Sequence, residues 1–368
     1  MIKIQYLKSN LERLHQSILL RKKDIRLFLN IKKVIELGEK NFKEKDQTKK
    51  KILEQKIKLI KKELDFLPNY FFPEVKKKSY VLFSYFKKKK LNKIDFLYKI
   101  FFSSKVCGKG FLFVNAFGTF LFNILKNKMQ SILQKNFFRE VIVPIAMKEE
   151  GFFNSAHLPF FQKEMWSAFC RKKMFYLLPT AEASLTNFPL DFSKIDDFFV
   201  YRIFAFTPCF RTESGKYGKR DSGFCRLFQF WKNEMYVFCN EKNSRKEEKT
   251  MLNMVKEFLI GLDINFKIVV KSCDDIADSA AITYDVLCPT LERGELEISS
   301  ISNCTDFQSR RMLKKNIHTL NGSFFPLERF MNVFIENCIE EYNEKEQYII
   351  LTNKASSFLQ IEKKIVLF

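Results

Sequence analysis

The stretch Phe206-Thr-Pro-Cys-Phe-Arg-Thr-Glu-Ser-Gly215 sets an arginine at the end of an apolar, aromatic run. Its first residues complete a strand-like segment over 198–208, and a second such segment covers 228–240. A buried charge is expensive unless paired, so Arg211 is either in a structural ion pair or held ready for an anion. Working outward, strand-like runs also cover 173–179 and 266–272, and helical stretches intervene at 119–138, 245–262 and 330–346. Strand groups interrupted by a few helices predict an α+β domain on an antiparallel sheet flanked by helices.

Three more segments break apolar strands with polar groups: Leu178-Pro-Thr-Ala-Glu182, Glu295-Leu-Glu-Ile-Ser-Ser300, and Leu320-Asn-Gly-Ser323 with Arg329. Each alone fits a structural ion pair. Brought onto one sheet, the two arginines, carboxylates and hydroxyls suit a ligand with phosphates, an ammonium and a hard cation. Glu297 and Ser300 offer the oxygen donors that Mg²⁺ prefers.

The N-terminal part reads differently. Phe28, Ile31, Ile35, Gly38 and Phe42 recur at heptad spacing, as do Leu53, Ile57, Ile60, Leu64 and Leu67, with a polar turn at 44–48 between them. That pattern predicts an antiparallel coiled-coil hairpin over about 24–67. Ser9 with Glu12 predicts a capping box ahead of it. The outer faces carry Lys32, Lys33, Lys40, Lys43, Lys49, Lys50, Lys51, Lys56, Lys58, Lys61 and Lys62. Such a run is either a solvated helix face or a surface for a phosphate backbone. Leu67-Pro68 and Pro73 end the hairpin, and a basic linker with Lys76–Lys78 and Lys87–Lys90 follows.

Composition narrows the classes. The 368 residues carry 64 Lys+Arg against 42 Asp+Glu, and 46% are apolar, which excludes wholesale disorder. Residues 1–100 hold 28 basic and 11 acidic side chains, so most of the net +22 lies in the N-terminal part. A basic appendage on a nearly neutral body is the footprint of polyanion binding. The 43 Phe and the excess of Lys over Arg point to an AT-rich genome. Nine Cys without a Cys-x-x-Cys pair and no signal peptide predict reduced, mostly buried thiols in the cytoplasm. The longest apolar run, 111–125, is interrupted by Asn115 and Asn123 and is too short to span a bilayer, so no membrane association is expected. The three His (His15, His157, His318) are too dispersed to suggest a His-based metal site or triad, and no Walker A, G-x-G-x-x-G, G-x-S-x-G or His-Glu-x-x-His pattern occurs.

On these residues the chain resembles the seryl-tRNA synthetases, class II aminoacyl-tRNA synthetases. Phe175-Tyr-Leu-Leu-Pro-Thr-Ala-Glu-Ala-Ser-Leu-Thr-Asn187 is similar to the family's serine-binding loop, and Phe206–Gly215 with Gln229-Phe230 to its motif 2. Glu297-Ile-Ser-Ser-Ile-Ser-Asn-Cys-Thr-Asp-Phe-Gln-Ser-Arg-Arg-Met312 matches another family block, and His318-Thr-Leu-Asn-Gly-Ser323 with Arg329 resembles motif 3. Pro144 stands where motif 1 has its proline, and Leu67-Pro-Asn69 resembles the exit from the arm.

The resemblance implies a serine–tRNA ligase, with a helical tRNA-binding arm over 1–75 and a class II catalytic domain over 76–368. It implies that Thr180 and Glu182 hold the serine ammonium, that Ala181 also meets serine, that Glu234 accepts from its hydroxyl, and that Ser323 closes the pocket. Arg211 would grip the α-phosphate and the serine carboxylate. Thr212 would meet ATP, Glu213 would face the adenine amino group with Phe230 beneath the ring, and Arg329 would face the other side of the nucleotide and its γ-phosphate. Glu297, Ile298, Ser299 and Ser300 would meet ATP, with Glu297 and Ser300 carrying Mg²⁺. Implied partners are L-serine, ATP, tRNA(Ser) on Lys32, Lys33, Lys40, Lys43, Lys49, Lys50 and Lys51, and a second copy in a homodimer.

Departures from the family pattern predict weaknesses. Motif 3 lacks its usual glycines across Ser323-Phe-Phe-Pro-Leu-Glu-Arg329, and Glu328 is expected to dull the attraction of Arg329 for phosphate. Thr283-Tyr-Asp-Val-Leu-Cys-Pro289 is about two residues shorter than usual, with Ile282 in place of a usual lysine. These changes leave two other readings: a catalytically weakened RNA-binding protein on the same scaffold, and a paralogue charging another amino acid or acceptor. No structure is assigned to the stretch after Glu346.

Overall fold

A computed structural model describes residues 3–87, 91, 100–103, 105–108, 110–191, 199–213, 226–291, 294–312 and 317–366. Lys88–Lys90, Phe198, Ser214, Gly215 and Cys225 lie outside the described residues.

The chain begins with four helices, α1 (Ile4–Ser9), α2 (Leu11–Leu20), α3 (Arg26–Lys43) and α4 (Gln47–Glu63). α3 and α4 form the expected hairpin. Asp46 starts α4 by accepting from the amides of Thr48 (2.8 Å) and Lys49 (3.2 Å), satisfying donors that the first turn leaves open. The seam is buried only at its base, where Ile31, Val34, Ile57, Leu64 and Leu67 pack with Leu7, Leu14 and Ile18 of α1 and α2. Gly38 permits this packing, because a Cβ there would come within 2.3 Å of the Ile4 side chain. Two expectations fail here. Phe42 is 91% exposed rather than part of the seam, because the hairpin's buried contacts end below it. Ser9 forms no capping box; its hydroxyl donates back to the Gln5 carbonyl (3.0 Å), and α2 starts from Asn10.

The strands, in chain order, are β1 (Tyr80–Tyr85), β2 (Phe101–Phe102), β3 (Phe113–Val114), β4 (Arg139–Glu140), β5 (Ala146–Met147), β6 (Ser167–Cys170), β7 (Lys173–Leu177) and β8 (Val200–Phe210). They continue with β9 (Gln229–Cys239), β10 (Phe266–Val270), β11 (Ile282–Thr290), β12 (Gly294–Thr305), β13 (His318–Pro326), β14 (Ile339–Asn343), β15 (Tyr348–Leu351) and β16 (Lys364–Val366). Eight of them form the main sheet, in the order β1-β10-β11-β12-β13-β9-β8-β4. Its described pairings are antiparallel except β4 with β8.

Strand alternation divides this sheet into two faces. On β9, Met235, Val237 and Cys239 enter the main core with the helices Ala116–Lys135, Glu241–Gly261 and Leu327–Cys338, while Tyr236 and Phe238 join a separate cluster on the other side. The phenylalanines supply much of the helix-side core. Phe258 meets the rings of Phe324, Phe325, Phe330 and Phe358 at centroid distances of 5.2–5.6 Å.

The predicted helix 330–346 stops at Cys338. Its second half becomes β14, a hairpin with β15, because Asn343 turns the chain by accepting from the amides of Lys345 and Glu346. The unassigned stretch after Glu346 supplies β15, the helix Asn353–Leu359 and β16, and buries Ile349, Leu351, Ala355 and Ile365. Of the eight described cysteines six are buried, Cys107 and Cys170 are exposed, and none of the eight is in a disulfide. No helix among the described residues is long and apolar enough to cross a membrane.

The helical base is keyed into the sheet body. The buried Arg21 guanidinium donates to the carbonyls of Ile276 (2.8 Å), Ala277 (3.0 Å) and Ala280 (2.8 Å). Asn69 is fully buried, and its amide donates to the carbonyls of Ser279 and Cys304 at 2.9 Å each. The strand ends of β11 and β12 are thus tied to the arm's exit.

Candidate active site

Opposite the helices, the sheet carries a cavity of about 270 Å³. The turn after β7 supplies Thr180 and Glu182, β8 leads into Arg211, β9 supplies Glu234, β12 supplies Glu297 and Ser300, and β13 supplies Ser323. A smaller cavity shares Arg211, Glu297 and Ser323 and adds Glu213, Phe230 and Arg329.

Local geometry explains why distant segments converge. Phe230, Lys232 and Glu234 recur at every second residue of β9 and so face one side. Glu297 and Ser300 are three apart, which in a regular strand would set them on opposite faces. β12 avoids this by a register slip: Val286 pairs with Ser299 and Leu287 with Glu297, so Ile298 is the extra residue. Ile298 therefore packs in the core, and both oxygen-bearing side chains reach the cavity.

The polar groups are mutually restrained. Lys232 is buried, forms an ion pair with Glu234 and donates to the Thr180 hydroxyl (2.8 Å). One Glu182 carboxylate oxygen accepts from Gln308 (2.7 Å) and Asn321 (3.0 Å). Burial first, then the nearby Glu234 charge, pushes the Glu182 carboxyl up to about 7. His157 stands 4.0 Å from Glu182, but burial and the charges of Arg211 and Lys232 push it down to about 3. That neutral imidazole forms no ion pair; it shares a hydrogen bond with the Ser155 hydroxyl (2.9 Å).

Arg211 donates to the Pro179 carbonyl (3.2 Å), and its guanidinium lies 5.4 Å from the Phe230 ring centre. Glu213 pairs with Arg226. Arg329 donates to the Glu297 carbonyl (2.8 Å). Ser300 donates to Asp285 (2.7 Å), whose other carboxylate oxygen meets Lys271 at 3.0 Å. Burial, and then the Glu297 charge, pushes Asp285 up to about 6.

Four predicted residues do not line either cavity. Ala181 packs in an apolar cluster with Leu185, Ile203 and Tyr236. Thr212 donates to the Lys163 carbonyl (3.1 Å), Ser299 to the Ser323 carbonyl (2.6 Å), and Ile298 is in the core. Of the seven arm lysines, Lys50 is half-buried and the other six are exposed.

The motif 3 substitutions behave differently from expectation. Phe324 and Phe325 turn into the helix-side core, and Phe325 adopts the left-handed backbone (φ 68°) that a glycine adopts readily. Glu328 lines the smaller cavity together with Arg329, but it is held by a backbone contact. Its buried carboxylate accepts from the Trp231 amide at 2.9 and 3.1 Å, and burial pushes it up to about 8. A largely neutral Glu328 takes little from the charge of Arg329.

Sequence reasoning missed Lys232, Asn321, Gln308, Asp285 and Lys271. Lys232 was findable, since it shares the two-residue period of Phe230 and Glu234. Gln308 was not, because only the helix Phe307–Arg311 folding under the sheet brings it to Glu182.

Comparison with known proteins agrees with this architecture. Residues 168–338 match the tRNA synthetase class II core domain (G, H, P, S and T). The serine–tRNA ligase of Ureaplasma parvum serovar 3 is 32% identical over 252 residues, covering 65% of this chain and 59% of the relative. That of Methylacidiphilum infernorum is 32% identical over 271 residues, covering 70% and 63%. The chain thus matches about three-fifths of the length of these relatives. In fold it is similar to the cytoplasmic serine–tRNA ligase of Naegleria fowleri solved with AMP (TM-score 0.79, 21% identity, covering 100% of this chain and 99% of the other). It is also similar in fold to the Pyrococcus horikoshii seryl-tRNA synthetase solved with ATP (TM-score 0.76, 20% identity, 100% of both). The chain carries a class II tRNA synthetase core domain. The relatives named above are serine–tRNA ligases.

Proposed function

We propose that this chain is a serine–tRNA ligase: it activates L-serine with ATP and transfers the seryl group to the 3′-terminal adenosine of tRNA(Ser). The convergence of Thr180, Glu182, Arg211, Glu234, Glu297 and Ser323 on one cavity carries the reading. Serine brings an ammonium, a carboxylate and a hydroxyl, and the cavity offers a partner for each. Glu182, with Thr180 beside it, receives the ammonium; an arriving cation draws a carboxyl raised by burial back to its ionised form. Arg211 receives the carboxylate and the α-phosphate. Glu234 accepts from the serine hydroxyl, with Lys232 as its counter-charge. Alanine would leave that carboxylate with Lys232 but without the hydroxyl donor, the kind of loss that supports discrimination. Ser323 bounds the pocket.

ATP would lie with its adenine over Phe230 beside Glu213, and with its phosphates toward Arg211 and Arg329. Glu297 and Ser300 fit a hard cation, since both put oxygens into the cavity and the Ser300 proton is directed away toward Asp285. Mg²⁺ bound there would neutralise phosphate charge. The serine carboxylate attacks the α-phosphorus and pyrophosphate leaves; a terminal ribose hydroxyl of tRNA then attacks the seryl carbonyl and AMP leaves. No protein nucleophile is required: positioning and charge complementarity supply the acceleration. The arm, assigned to 1–75, would hold tRNA phosphates on Lys32, Lys33, Lys40, Lys43, Lys49, Lys50 and Lys51. The body, 76–368, would pair as a homodimer in the cytoplasm.

The test is pyrophosphate exchange into ATP with Mg²⁺, comparing serine with threonine, alanine and glycine. Exchange that depends on serine is expected. Exchange with another amino acid in preference to serine, or none from folded protein, would refute the reading.

A further inference from the structure

Ser300 and Glu297 reach the cavity, but Asp285 does not line it. Asp285 is buried on β11, directly opposite Ser300 in the β11–β12 register. Both of its oxygens are engaged, one by the Ser300 hydroxyl (2.7 Å) and the other by the Lys271 ammonium (3.0 Å). A serine hydroxyl has one proton and two acceptor lone pairs, and its proton rotates to whichever acceptor is offered. A rotating proton meets a bound cation part of the time. A carboxylate fixed behind the hydroxyl removes that orientation, and Lys271 stops the carboxylate from turning toward the cavity.

We infer that Asp285 is a positioning residue for the cation: it holds the Ser300 proton so that the oxygen lone pairs of Ser300 face the ion bound with Glu297. The inference rests on the metal reading of Glu297 and Ser300 given above. Partners behind metal ligands usually matter nearly as much as the ligands, with losses of about 10–100-fold in metal affinity when they are removed.

The experiment is Mn²⁺ binding to the full chain with a non-hydrolysable ATP analogue, reading free Mn²⁺ by electron paramagnetic resonance. Asp285→Ala is expected to raise the Mn²⁺ dissociation constant about tenfold or more. If Asp285 works through Ser300, the double variant Asp285→Ala/Ser300→Ala binds within about twofold of Ser300→Ala alone, because coupled partners are not additive. Should the alanine variant not fold, Asp285→Asn carries the same cycle. Its single amide oxygen cannot serve both Ser300 and Lys271, so a smaller loss of the same non-additive kind is expected. Unchanged Mn²⁺ affinity in Asp285→Ala or, where that does not fold, in Asp285→Asn would overturn the inference, as would a double variant that loses the full product of the single effects. Unchanged affinity in Glu297→Ala would instead overturn the metal reading beneath it.

Discussion

The arm and the sheet body use burial in opposite ways. In the arm the buried residues gather at the base, with α1 and α2, and the outer hairpin presents Phe42 and a series of lysines to solvent. In the body an apolar core lies on the helix side, and on the other face polar groups are enclosed as well: Lys232, Glu234, Gln308, Asn321 and Glu328 are all buried. A lever that meets a long polyanion needs reach and charge, and tolerates a loosely packed tip. A site that orders charge around a reacting phosphate needs side chains whose positions are set beforehand, and buried hydrogen bonds set them.

The largest expected effect lies in the body. Arg211→Ala should lower serine-dependent pyrophosphate exchange by about 10²–10³-fold, in line with loss of one preorganised electrostatic group. Retention of wild-type exchange would show that the cavity is not where adenylation occurs. In the arm, replacing Lys40, Lys43, Lys49, Lys50 and Lys51 by alanine should reduce tRNA charging about tenfold or more at low salt while leaving exchange unchanged. Its salt dependence should flatten by about one unit of log–log slope per lost phosphate contact. Equal losses in charging and exchange would erase the distinction between the two regions.

A third effect depends on pH. Glu182 is raised to about 7, so below that pH its carboxyl is increasingly neutral in the empty site. Ammonium binding requires the ionised form, so the apparent affinity for serine should fall up to about tenfold per pH unit below 7. Glu182→Gln should abolish that dependence. The corresponding stability term has the opposite sense: the raised carboxyl binds a proton more tightly in the folded chain, so its contribution favours folding as pH falls through 7 toward 4.5. A serine KM flat from pH 8 to 6 would remove Glu182 from the ammonium site. The smallest effect is at the arm's tip, where Phe42→Ala should change thermal stability by less than about 0.5 kcal/mol, as for an exposed side chain. A larger loss would mean that the tip is packed after all.

Much of this was legible in the chain. β8 and β9 lie within two residues of the strand-like runs around Arg211, and the helices Ala116–Lys135 and Glu241–Gly261 within four residues of theirs. These elements pack one face or stripe on the core, so their apolar period reports them directly. The helix expected over 330–346 was misread past Cys338. A helical run and a short strand can share the same apolar residues, and the Asn343 turn that folds Ile339–Asn343 back onto β15 acts through hydrogen bonds. Phe42 was misread because heptad spacing shows which residues could face a partner, and says nothing of where the partner ends.

By itself the sequence determined the two-part character of the protein, a basic heptad hairpin ahead of an antiparallel sheet, and the residue types of the site. Period and charge are local properties that survive in a linear string. The tertiary structure alone decided how those residues act on one another. The slip at Ile298 sets Glu297 and Ser300 on one face, Glu328 turns to the Trp231 amide, and Gln308 and Asn321 close on Glu182. Each of these depends on segments far apart in the chain meeting in a low-dielectric interior, where burial and a few directed hydrogen bonds set both position and charge.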